Sequence, residues 1–146
     1  MSKECGDTNY YLSEEGKKCE FSELKGKVLK SVNGEKGDTE VVFVTRDGET
    51  YKLIHFQECC EDVSVEDICG NFKDIIGSPI VMAEEVNNAT PDNWECPEHV
   101  DSYTWTFYKL ATVKGYVTIR WYGESNGCYS ESVDFVKTIR RSNRKE

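Results

Sequence analysis

The sequence predicts an α+β protein: a mostly antiparallel β-sheet of about seven strands with one short helical insertion. Three observations predict it. Residues 102–136 hold two of the three tryptophans and five of the eight tyrosines, with glycine confined to breaks at Gly115, Gly123 and Gly127. Within that stretch Val117, Ile119 and Trp121 alternate with Tyr116, Thr118, Arg120 and Tyr122, the period of a strand with two unlike faces. Upstream, β-branched and aromatic runs are punctuated by turn signals such as Asp47-Gly48.

Residues 1–20 are polar and aperiodic and read as an extension. Residues 21–26 make one helical turn, capped by Ser22 and stopped by Gly26. Strands follow at 27–32, 39–45 and 50–57; the third places Tyr51, Leu53, His55 and Gln57 on one face. Residues 58–76 are the helical insertion, two acidic pieces split by Gly70 and ended by Gly77-Ser78-Pro79. A fourth strand spans 79–86, and 87–101 is a loop whose Trp94 is expected to cover the core, the alternative being a lid over a ligand. The rest is a three-stranded meander. Its first strand sets Tyr103, Trp105 and Phe107 opposite Thr104, Thr106 and Tyr108. Its last sets Tyr129, Glu131, Val133 and Phe135 on one side, after a turn with a positive-φ residue at Asn126 or Gly127. The organisation is an extension (1–20), one α+β domain (21–136) and a basic tail (137–146).

At 146 residues the chain suffices for one domain with a real core. The net charge is −9; the tail carries five cations against one carboxylate, +4, which leaves −13 for the rest. A body that acidic argues against binding nucleic-acid polymers, which requires phosphate neutralisation. No run approaches the ~20 apolar residues of a membrane helix, and the first residues lack an apolar signal region, so a cytoplasmic protein is expected, with its seven cysteines reduced. His55, Cys59, Cys96 and His99 lack zinc-finger spacing, so no metal and no cofactor are expected. Walker-type and GxGxxG loops and the GxSxG nucleophile motif are absent, and adjacent Glu84 and Glu85 point to opposite faces; the expectation is a binder, not an enzyme.

The candidate site centres on Arg120, a guanidinium on a strand otherwise built for packing. Tyr122 shares its face, the turn Glu124, Ser125 and Asn126 follows, and Tyr108 and Lys109 come from the neighbouring strand. Rings beside cations suit a small anionic nucleotide. Since the body is acidic, a symmetric homo-oligomer bringing Arg120 and Lys109 from two chains together is expected to supply the positive field. The alternative is structural: Arg120 paired across strands with Glu131 or Asp134.

The segments HFQECCEDVSVEDICG, IIGSPIVMAEEV and WTFYKLATVKGYVTIRWYGESNGCYSESV together resemble a family of small phage and prophage proteins of unknown function. The resemblance covers about residues 21–136; Cys128 stands where that family normally has tyrosine or a similar residue. It implies a counter-defence role in an infected or lysogenic host, akin to sponges that sequester cyclic oligonucleotide or cyclic ADP-ribose signals without cutting them. Two other classes compete: a zinc- or protein-binding adaptor that inhibits a host protein, and a small nucleotide hydrolase.

Overall fold

The computed structural model describes residues 16–87 and 90–138. Nine strands lie among them: β1 (Lys17–Lys18), β2 (Leu29–Asn33), β3 (Glu40–Thr45), β4 (Thr50–Ile54), β5 (Asp62–Cys69), β6 (Met82–Asn87), β7 (Ser102–Thr112), β8 (Gly115–Ser125) and β9 (Asp134–Lys137). They form two antiparallel sheets, one of five strands in the order β1-β9-β4-β3-β2 and one of four in the order β5-β8-β7-β6. The only helical turns among the described residues are two 3-10 turns, Phe21–Leu24 and Phe72–Ile75. The fold is therefore nearly all-β, not α+β.

One core lies between the sheets. Val41, Phe43, Tyr51, Leu53 and Phe135 come from the five-stranded sheet, and Val63, Val65, Tyr108, Leu110, Ile119 and Trp121 from the four-stranded one. Phe21 seals it, edge-on to Tyr108 at 4.9 Å and to Phe135 at 5.1 Å, while Tyr51 stacks on Phe135 at 5.3 Å. Backbone bonds stitch the two layers at their corners: Gly37 N–H donates to Val65 O, and Gly26 N–H to Ile80 O.

Three sequence expectations need correction. The helical insertion is β5 followed by a single turn. Val63 and Val65 alternate inward with period two, which buries them against β8; a helix over these residues would bury neither pairing edge nor core face. A bulge between Val65 and Asp67 breaks the alternation and disguises it. The last strand does not extend the meander. β9 leaves the four-stranded sheet and lies between β1 and β4. Gly123 in β8 marks the crossing point: a Cβ there would meet Val63 Cγ2 at 2.9 Å and Glu131 O at 3.0 Å. Residue 131 thus crosses over the end of β8 instead of pairing alongside it. Finally, Lys17–Lys18 and Lys137, assigned to extension and tail, are paired strand residues of one sheet. The remainder of both segments lies outside the described residues.

The 3-10 turn at 21–24, the β3–β4 hairpin and the β7–β8 hairpin agree with the sequence, as does a positive φ at Gly127 (92°); Ser22, expected as the cap, lies inside the turn, whose N-cap is Glu20 with no side-chain bond. Among the described residues no helix is long and apolar enough to cross a membrane.

Candidate functional site

The outer face of the four-stranded sheet is built by register. Trp105 pairs with Tyr122, Phe107 with Arg120, and Tyr103 with Glu124, so all six side chains share the face turned away from the core. β5 adds Asp62 opposite Glu124 and Asp67 opposite Arg120. The 90–101 loop lays Trp94 on this surface, with ring centroids 4.7 Å from Tyr103, 5.4 Å from Trp105 and 5.5 Å from Tyr122. Trp94 therefore covers the outer aromatic face, not the core. Trp105 is buried beneath it at 3% exposure, and its Nε1–H has no acceptor.

Arg120 lies over Trp105, its guanidinium carbon 5.5 Å from the ring centroid. Its Nε donates to Glu66 Oε1 at 2.7 Å, and its Nη2 is 3.7 Å from Asp67 Oδ2. The β5 bulge is what brings two consecutive carboxylates within reach of one guanidinium. The sequence alternative named the wrong acids: Glu131 is engaged by Thr104 and Ser125 hydroxyls, and Asp134 pairs with Lys18.

Of the other sequence candidates, Tyr122 and Glu124 are on this face and bonded together, phenol to carboxylate at 2.9 Å. Burial, then that hydrogen bond, pushes the Tyr122 phenol well up. Lys109 shares the face, opposite Glu84. Ser125 donates to Glu131 and Asn126 accepts from Cys128 N–H, so both hold the turn. Tyr108 is misplaced: neighbours on a strand point oppositely, and Tyr108 is fully buried in the core with its hydroxyl 3.4 Å from Val133 O.

A second polar cluster was missed. It sits at the end of the sheet where β5 begins. His55 and Glu61 are buried, with side-chain exposures of 3% and 0%. His55 Nε2 is 2.8 Å from Glu61 Oε2 and Nδ1 is 2.7 Å from Ser132 O, so both ring nitrogens face an oxygen. Glu61 also accepts N–H groups from Glu58 at 2.8 Å and Cys59 at 3.0 Å. Burial alone would raise its carboxyl; the backbone donors and His55 outweigh it and hold the group at about 2. Cys59 and Cys60, expected reduced, share a disulfide at the tip of this loop. Among the described residues no group of three or more His, Cys, Asp or Glu is arranged to hold a metal ion.

Fold and site together define an antiparallel two-sheet β protein with an aromatic outer face rimmed by carboxylates. The chain belongs to the family described as domain of unknown function DUF7448, whose model matches residues 22–135. No curated protein and no solved structure matches it.

Proposed function

We propose that this protein is a binding module without turnover that docks a basic segment of a partner protein on the outer face of its four-stranded sheet. The observation that carries the reading is the composition of that face. Trp94, Tyr103 and Tyr122 present rings, and Glu66, Asp67 and Glu124 present carboxylates beside them. Arg120 over Trp105 is an internal example of the chemistry such a surface offers an incoming Lys or Arg. The acidic body favours a cationic partner through its long-range field.

A second reading is sequestration of a small anionic nucleotide signal, of cyclic oligonucleotide or cyclic ADP-ribose type, as a phage counter-defence. It is favoured by Arg120, whose guanidinium lies over Trp105 on this aromatic face with its side chain 28% exposed. It is opposed by the two carboxylates already on Arg120, which an anion would have to displace.

The two are separated by titrating the full chain, with tryptophan fluorescence as readout, against an Arg/Lys-rich hexapeptide, its Glu-rich counterpart and a panel of cyclic nucleotides. The first reading expects salt-sensitive peptide binding that weakens roughly tenfold in Glu66→Gln/Asp67→Asn, the scale of one to two partly exposed ion pairs. It expects no loss in Arg120→Ala. Nucleotide binding lost tenfold or more in Arg120→Ala overturns it in favour of the second, and no binding of any probe overturns both.

A further inference from the structure

Cys59 and Cys60 are adjacent in the chain and joined to each other. A bridge between neighbours closes only a small ring around one peptide bond, so it removes little entropy from the unfolded chain and does little for stability. Both residues are exposed. The backbone that carries them is held by other means. Glu61 grips the amides of Glu58 and Cys59 from below, and the Gln57 side-chain amide donates to Cys59 O and Glu61 O. Glu61 itself is fixed by buried His55, which is tied in turn to Ser132. The loop is thus clamped independently of the sulfur–sulfur bond. A disulfide that braces nothing, faces solvent and rides on a rigid loop is suited to exchange.

We propose that Cys59–Cys60 is a redox site that takes two electrons from an external dithiol. A thiolate of the dithiol attacks one cysteine sulfur, the bond between the two cysteines breaks, and the other cysteine leaves and takes a proton. The second thiol of the reductant then attacks the mixed disulfide, closing its own ring and releasing the first cysteine as a thiol. The protein gains two electrons and two protons, and the dithiol is oxidised to a cyclic disulfide. This site is independent of the binding face.

The experiment labels the native full chain with one alkylating agent, then unfolds and reduces it, labels it with a second, and maps the peptides. In air-equilibrated protein the peptide holding Cys59 and Cys60 is expected to carry only the second label. After native equilibration with dithiothreitol both cysteines are expected to take the first label together, with unchanged circular dichroism and denaturation midpoint. Cys19 is the internal control, because burial, then Glu23, pushes its thiol up to about 11 and slows its labelling. In Cys60→Ser the remaining Cys59 is expected to fold normally and to form a mixed disulfide with oxidised glutathione. First label on both cysteines before reduction overturns the proposal, as does resistance to dithiothreitol in the folded protein or unfolding of Cys60→Ser.

Discussion

Replacing Glu61 by glutamine tests whether the buried acid holds the loop at the head of β5. The amide keeps the shape but offers one acceptor oxygen where the carboxylate had two. In the native site Oε2 takes Glu58 N–H and His55 Nε2, and Oε1 takes Cys59 N–H. An NH₂ in either place turns at least one buried donor onto another donor, at a cost of about 1–3 kcal/mol. Proton binding gives a second figure for the same contacts. The folded-state carboxyl is lowered from 4.5 to about 2. At about 1.4 kcal/mol per unit this is on the order of 3 kcal/mol. Because the folded value is the lower one, that stability is complete above the unfolded value and is lost as pH falls from about 4.5 toward 2. Urea unfolding followed by tryptophan fluorescence should therefore show Glu61→Gln about 3 kcal/mol below the parent at pH 7, with the gap closing near pH 2. A gap independent of pH, or one under about 0.5 kcal/mol at pH 7, refutes the reasoning.

Trp121 is 1% exposed between the sheets, and Trp121→Ala is expected to cost about 3–5 kcal/mol in the same unfolding assay. Gly123→Ala forces a methyl to within 3.0 Å of the Glu131 carbonyl, which is backbone and yields poorly; a loss of about 1–3 kcal/mol is expected, with faster hydrogen exchange in the β8–β9 crossover as its local signature.

The β7–β8 hairpin was legible because its alternation is clean and its turn is short: Val117, Ile119 and Trp121 are all inward as the period requires. The same rule, applied to β7, excludes Tyr108 from any site that contains Lys109, so that misplacement was avoidable. β5 was hidden by its bulge, which sets Glu66 and Asp67 consecutively outward and mimics the acidic face of a helix. The destination of β9 was not legible. Local alternation states that a strand forms but not which neighbour it chooses, and that choice rests on Phe135 meeting Phe21, Phe43 and Tyr51. Arg120 stood out as a misfit, yet its partner Glu66 is 54 residues away. The His55–Glu61 pair spans a loop with no periodicity to expose it.

The position of β9 has a consequence for how the chain is made. The strand latest in sequence among those described occupies an interior slot, with β1, the earliest, on one side and β4 on the other. As synthesis runs from the N-terminus, β2, β3 and β4 can pair as they emerge, but β4 keeps an open edge and Tyr51 lacks its stacking partner until Phe135 arrives. Nascent chains of this protein pass through a state with an unpaired strand and an uncovered aromatic surface. Ribosome-stalled chains ending before residue 134 should therefore recruit chaperones that longer ones release.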